Sequence, residues 1–203
     1  MLLAAVPVAC LAATGCSEQS AAVKVDDVAV SRSDFEDELD LYFRDDDLRS
    51  FIFGEVAQDD LRGELGQSYT QDYVAAVAGL RVQFIVAESV LDAEGLELTD
   101  EARAQAEELI AQQVPGGLAA VPEDQRDALV DDVATFSLLQ GELGQEGFSS
   151  AMTEAFGDAD ISVRSQYGSW DAEQIAVVPP AGPVDPGGDA EAEAGTGADP
   201  GAG

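Results

Sequence analysis

The chain has 203 residues with 41 acidic against 9 basic side chains, so its formal net charge is -32, and it contains no histidine. The lack of histidine excludes histidine-based acid–base relays and histidine-ligated zinc sites. So dense a negative charge also argues against nucleic-acid binding, which depends on Lys and Arg neutralising phosphates.

The chain begins with an apolar segment that predicts export. Residues 2–15 are apolar or small and uncharged, and Cys16 is followed directly by polar residues. This length fits the hydrophobic region of a secretory signal and is short for a membrane span. The small residues at 13–15 resemble the lipobox of bacterial lipoproteins, in which the following cysteine is diacylglycerated and becomes the new N-terminus. We therefore expect residues 1–15 to be a lipoprotein signal peptide, with lipidation at Cys16 and a polar tether over 16–22.

Two alternatives to lipidation at Cys16 stay open at the level of sequence. One is an ordinary cleaved signal peptide with an unmodified cysteine, and the other is modification at Cys10, which has a poorer preceding tripeptide. No Lys or Arg precedes the apolar run, which suggests that the natural start lies upstream of Met1. Two or three acyl chains on Cys16 would anchor the protein stably without a membrane span. The expected location is the outer face of a cytoplasmic membrane, with membrane contact through the lipid anchor only.

A hairpin and a first helix are predicted next. Two short valine-rich runs, Val-Lys-Val at 23–25 and Val-Ala-Val at 28–30, flank an Asp-Asp pair and predict two strands joined by a two-residue turn. Ser31 has a capping-box-like spacing to an acidic residue, and apolar residues then follow at helical spacing, which predicts a helix over about 34–43. The acidic run 45–47 is expected to end that helix.

Three further helices follow in the sequence pattern. A nearly all-apolar helix is predicted over 70–93 with Gly95 beyond its C-terminus, and such a helix should be central. An amphipathic helix follows over 99–113. Pro122 with two acidic residues restarts a helix. Its apolar residues recur at helical spacing and form the clearest face in the sequence: Leu129, Val133, Phe136, Leu139 and Leu143.

The remaining chain predicts two small elements and a tail. A short helix is expected over 149–156, ending at Gly157, and residues 161–163 predict a strand that joins the initial hairpin. Residues 179–203 contain five prolines and seven glycines and no aromatic or basic residue, so we expect a disordered acidic tail. The predicted fold class is mainly α with a small two- or three-stranded β element, in one domain over 23–178.

Few residues in the sequence indicate a functional site. Tyr42, Phe43, Phe51 and Phe53 cluster around an acidic turn and have two open interpretations: ordinary core, or a cleft that contacts apolar peptides. The acidic runs at 45–47, 59–60 and 131–132 lack the Asp-x-Asp-x-Asp-Gly register of a calcium loop, and solvated acidic faces are the simpler interpretation. No catalytic residue, metal site or cofactor is predicted.

Two segments resemble a known family. Residues 23–35, Val-Lys-Val-Asp-Asp-Val-Ala-Val-Ser-Arg-Ser-Asp-Phe, resemble the opening of the SurA-like N-terminal chaperone domain, and the segment with Tyr167, Gly168, Trp170 and Asp171 is similar to the stretch that closes this fold in actinobacterial lipoproteins. The resemblance spans about residues 23–177. It implies a helical domain that holds unfolded or partly folded secreted proteins.

The resemblance does not extend to the catalytic part of that family. Many members carry a parvulin-type prolyl isomerase domain, but the space between Gly95 and Asp160 is too short for one and the histidines usual in its active site are absent. The expected function is therefore that of a membrane-anchored, ATP-independent holdase, not an enzyme. Two alternatives stay open: an envelope scaffold lipoprotein that docks one dedicated partner, and an isomerase-related protein with residual activity.

Overall fold

The computed structural model describes residues 21–54, 61–63, 69–119 and 121–180. Five α-helices make up most of this part of the chain: α1 (Arg32–Arg44), α2 (Asp46–Phe53), α3 (Gln71–Ala93), α4 (Asp100–Gln113) and α5 (Glu123–Asp158). Five short strands accompany them: β1 (Ala21–Val25), β2 (Val28–Ser31), β3 (Ile161–Val163), β4 (Ser169–Asp171) and β5 (Ala176–Val178). The predicted fold class, mainly α with a small β element, is confirmed.

The small sheet joins the two ends of the domain. Its strand order is β2-β1-β3, and both pairings are antiparallel. The sequence predicted the hairpin and the third strand, whereas the strand order and the direction of β3 come from the structure. The turn between β1 and β2 places Asp26 at φ 51°, a left-handed conformation that Asp tolerates better than most residues. The Asp26 amide donates to the Asp160 carbonyl at 2.9 Å, and the Asp160 amide donates to the Asp26 carboxylate at 2.9 Å. These two bonds tie the hairpin to the strand that follows the last helix. β1 begins at Ala21, so the strand includes the last two residues of the predicted tether.

The first helix begins where the capping residues predicted. Ser31 is its N-cap, and its Oγ accepts the amide of Asp34 and donates to the Asp34 carboxylate at 2.7 Å. The next acidic residues were expected to end α1, but they also start α2, which the sequence analysis missed. The Asp45 carboxylate accepts the Leu48 amide at 2.9 Å and so caps a second helix. Arg49 in that helix donates to the Tyr42 carbonyl at 3.1 Å and ties α2 back to α1.

The third helix is central, as its apolar composition predicted. It packs against α1, α5, β1 and β5, and its Leu96 and Gly95 amides close the C-terminus by bonding to Leu91 and Asp92 carbonyls, with Gly95 at φ 67°. Within the described residues, α3 is the one helix long and apolar enough to cross a membrane. In its most apolar stretch, 61% of α3 is buried in the protein. The position of α3 in the core therefore explains why the helix is so apolar.

The last helical segment is broken into two helices, as predicted, but the second is longer than expected. The two helices, labelled together as α5 (Glu123–Asp158), meet at one non-helical residue, Gly144, at φ 67° and ψ 172°, so the second begins directly after Gly144 and not at 149. The predicted end at Gly157 is wrong, because Gly157 is helical. We call the part before Gly144 the N-terminal arm of α5 and the part after it the C-terminal arm.

Candidate functional site

The four aromatic residues predicted as peptide contacts belong largely to the core. Tyr42 and Phe43 are 1% and 6% exposed, while Phe51 and Phe53 are partly buried. The Tyr42 ring meets the Phe53 ring edge-on at 5.5 Å, and the Phe43 ring packs on Tyr69 at 5.3 Å. The core interpretation therefore describes Tyr42 and Phe43 in this structure, and only Phe51 and Phe53 retain exposed surface.

Other features predicted from the sequence lie outside the described residues or have ion-pair partners within the fold. Cys16, the acidic pair 59–60 and the tail from 181 onward lie outside them. Asp46 pairs with Arg49 at 2.6 Å, and Asp131 pairs with Arg103 at 2.6 Å. In the described part of the chain, no group of three or more potential metal ligands occurs.

A buried ionic cluster joins three helices. Arg81 of α3 donates from Nη2 and Nε to the Glu38 carboxylate of α1, at 2.7 and 3.1 Å, and from Nη1 to Asp132 of α5 at 3.1 Å. We call these three residues the Arg81 cluster. Burial raises the pKa of Asp132 to about 7 although Arg81 opposes the shift, and Glu38 adds to it by repulsion. All three guanidinium nitrogens of Arg81 thus bond to carboxyl groups of the fold itself.

A cavity of about 250 Å³ opens beside this cluster. Its lining includes Glu38 and Arg81, together with the exposed Asp34. Asp132, the carboxyl group with the raised pKa, is not part of that lining. The proton-holding group is thus not presented to the cavity, and the arrangement serves to connect helices more readily than to transfer protons to a ligand.

A larger cleft has an unusual chemical character for so acidic a chain. It has a volume of about 700 Å³ and lies between α3, the two arms of α5 and the turn between β4 and β5. All ten of its described lining residues are uncharged: Gln83, Phe136, Gln140, Gln145, Phe148, Ser149, Met152, Thr153, Phe156 and Ile175. We call this the uncharged cleft. It combines apolar side chains with neutral groups that can donate and accept hydrogen bonds.

Aromatic rings form much of its apolar wall. Phe84 meets Phe136 edge-on at 5.3 Å, and Phe136 meets Phe148 at 5.6 Å across the break at Gly144. Phe156 stacks on Trp170 of β4 at 5.7 Å and so connects the cleft to the β4–β5 hairpin. The break in α5 and the hairpin therefore determine the shape of the cleft.

One aliphatic residue of the cleft wall, Ile175, has a strained backbone. It lies in the turn between β4 and β5 with φ 50°, a conformation in which a β-branched residue is an outlier. Such conformations cost about 1–2 kcal/mol and occur most often at functional sites. The strained residue is the one that places an aliphatic side chain on this wall of the uncharged cleft.

The segment with Tyr167, Gly168, Trp170 and Asp171 shapes the β4–β5 hairpin. The Tyr167 ring packs on Phe35 at 4.7 Å. Gly168 lies at φ 138°, and a Cβ there would come within 2.5 Å of the Val177 side chain. The Asp171 carboxylate accepts the Glu173 and Gln174 amides, which shapes the turn and holds the pKa of Asp171 below its usual value. Only glycine fits at 168, and the motif positions the turn that carries the cleft residue at 175.

Sequence reasoning missed the uncharged cleft, although a signal was present. In the C-terminal arm, Phe148, Met152 and Phe156 recur every four residues. A second stripe of uncharged polar residues, 145, 149 and 153, runs parallel to the first. A neutral polar stripe beside an apolar one is unusual in a chain with 41 acidic residues.

The chain matches no protein-family model, no curated protein and no solved structure. The resemblance to the SurA-like N-terminal domain therefore rests on the two sequence segments that carry it.

Proposed function

We propose that this protein is a membrane-anchored, extracytoplasmic holdase that binds apolar segments of unfolded secreted proteins without ATP. The uncharged cleft is the observation that carries the proposal. Its volume of about 700 Å³ suits several side chains, and its wall includes Phe136, Phe148 and Ile175. The family resemblance at both ends of the domain favours the same function.

The polar residues of the cleft suit an extended client. A peptide in extended form has unpaired amide and carbonyl groups that need partners when they leave water. The side-chain amides of Gln83, Gln140 and Gln145 offer both donors and acceptors to such groups. Because these contacts address the peptide backbone, they discriminate little between client sequences, as a holdase requires.

The test is suppression of client aggregation by the purified full-length chain and by Ile175→Asn. Asn adopts positive φ more readily than Ile, so relief of the backbone strain should offset the apolar packing that the variant loses, while the cleft loses one apolar wall residue. We expect client affinity to fall about fivefold, as for a loss of roughly 1 kcal/mol of apolar contact.

The matched control is Val28→Asn, which changes an exposed aliphatic residue in β2 outside the cleft. It should leave aggregation suppression unchanged. A wild-type chain that never slows aggregation would contradict the holdase proposal. A single stoichiometric partner in a pull-down, with no broader client set, would favour the scaffold alternative instead.

We also propose that Cys16 anchors the protein by lipidation. The lipobox-like tripeptide before this cysteine supports the assignment. Metabolic labelling with palmitate should disappear in Cys16→Ala and persist in Cys10→Ala. Unchanged labelling in Cys16→Ala would refute the site.

A further inference from the structure

Three parallel stripes run along the C-terminal arm of α5. Each stripe has residues four positions apart, which places its members on one side of a helix. The apolar stripe consists of Phe148, Met152 and Phe156, the neutral polar stripe of Gln145, Ser149 and Thr153, and the third stripe of Glu146, Ser150 and Glu154. The third stripe carries the only charges among these nine side chains.

The neutral polar stripe is shared by two adjacent grooves. On one side it lines the uncharged cleft, and on the other it lines a more open groove of about 790 Å³ that also includes Glu146 and Glu154. We call the second one the acidic groove. Both glutamates are exposed, and neither has an ion-pair partner among the described residues, whereas five of the arginines pair with acids elsewhere.

The spacing of the two carboxylates sets a length scale for an occupant. Glu146 and Glu154 are eight positions apart in one helical arm, which corresponds to about 12 Å along the axis. An extended peptide advances about 3.3 Å per residue. Two cations on such a peptide would match the two carboxylates when they are about three or four residues apart.

We infer that the uncharged cleft selects apolar segments bracketed by Lys or Arg, with the basic residues bound along the acidic groove. This inference rests on the proposed holdase function and names the class of segment that it takes. Apolar side chains enter the cleft, the peptide backbone meets Gln145, Ser149 and Thr153, and the flanking cations meet Glu146 and Glu154. Charge complementarity at the groove thus supplies a selectivity that the neutral cleft lacks.

The experiment compares labelled peptides that share one apolar centre. The first has Lys at both flanks about four residues apart, the second has Glu there, and the third has two Lys about nine residues apart. Fluorescence anisotropy with the full-length chain measures each affinity. We expect the first peptide to bind about tenfold more tightly than the second and about threefold more tightly than the third, as for two exposed ion pairs.

Two double variants that each remove two negative charges distinguish the effect of the acidic groove on peptide preference from the effect of the protein's overall charge. Glu146→Gln/Glu154→Gln should reduce the preference for the first peptide over the second to about a third of its wild-type value. Glu97→Gln/Glu107→Gln removes two exposed carboxylates that line neither groove and should keep the preference.

The outcomes distinguish this inference from the holdase proposal. Equal binding of the first two peptides, or an equal loss of preference in both double variants, overturns the inference while the apolar centre still binds. Binding of none of the three peptides overturns the holdase proposal as well.

Discussion

Asp132 has a carboxyl group that ionises reluctantly because it is buried. Its pKa is raised from an ordinary value of 3.8 to about 7, so the folded protein holds its proton more tightly than the unfolded chain does. This group therefore contributes stability that is complete below about pH 4 and is lost as pH rises toward 7. An ion-paired Asp with a lowered pKa has the opposite effect, because its contribution to stability is lost as the pH falls.

The corresponding prediction concerns Asp132→Asn. Between about pH 5 and 7, the free energy of unfolding of the wild type should fall with rising pH, and the variant should lose up to about 1.4 kcal/mol per pH unit of that slope. Urea unfolding at a series of pH values measures this. Asp127→Asn, a change to an exposed carboxylate in the same arm of α5, controls for the loss of one negative charge. An identical slope in wild type and Asp132→Asn would show that Asp132 does not titrate in this range.

At the scale of elements, the break at Gly144 gives α5 its two arms. Its φ of 67° and ψ of 172° fall in a region that is essentially restricted to glycine. Apart from the adjoining residues and backbone of α5 itself, no atom of the described residues lies within 4 Å of the position where a Cβ would be, so a substitution there acts through the backbone. The angle between the arms thus depends on one residue, and both arms line the uncharged cleft.

We expect Gly144→Ala to lower the free energy of unfolding by about 1–3 kcal/mol. Gly141→Ala is the matched control, because Gly141 is helical, exposed and equally free of close neighbours. It should raise stability by up to about 1 kcal/mol. Chemical denaturation of both variants measures the difference. Equal stability of the two would mean that the break does not need glycine.

The sequence predicted some elements better than others. The difference depends on how far apart in the chain the interacting residues of each element lie. Ser31, Thr99 and Gly95 mark helix ends through bonds within a few residues, and those ends are where the pattern predicted them. The β4–β5 hairpin was missed, because its strands are three residues each and its position depends on Tyr167 and Trp170 packing on distant rings. Local bonds are visible in sequence, whereas contacts between distant segments are not.

The same distinction applies to the candidate site. Phe136 was predicted on the apolar face of the helix that follows Pro122, and the structure places it on the wall of the uncharged cleft. Its neighbour Gln83 comes from α3, more than fifty positions away, so no local pattern connects the two. Tyr42 and Phe43, which sequence clustering nominated, are instead enclosed by α2 and the residues around Tyr69.

At the scale of the whole molecule, charge repulsion works against folding. A net charge of -32 brings like charges closer together in the compact state than in the unfolded chain. The ion pairs between described residues involve few of the acids, because the chain has only 9 basic side chains. We therefore expect the melting temperature to rise with salt between about 0.01 and 1 M, where the Debye length falls from about 30 to 3 Å.

Differential scanning fluorimetry in NaCl and in KCl measures this effect. Both salts should act alike at equal ionic strength, because screening does not depend on the identity of the monovalent cation. A melting temperature that falls with salt would show that the ion pairs, including the Arg81 cluster, outweigh the repulsion.

The sequence by itself determined the composition-dependent properties of this protein: its negative charge, its helical character, its capped helix ends and the lack of histidine chemistry. Each of these follows from residue identity or from neighbours within one or two helical turns. The tertiary structure alone decided that Arg81 pairs with Glu38 and Asp132, and that residues 83, 136, 148 and 175 surround one uncharged cleft. These residues lie far apart in the chain, and only the packing of α3, both arms of α5 and the β4–β5 hairpin brings them together.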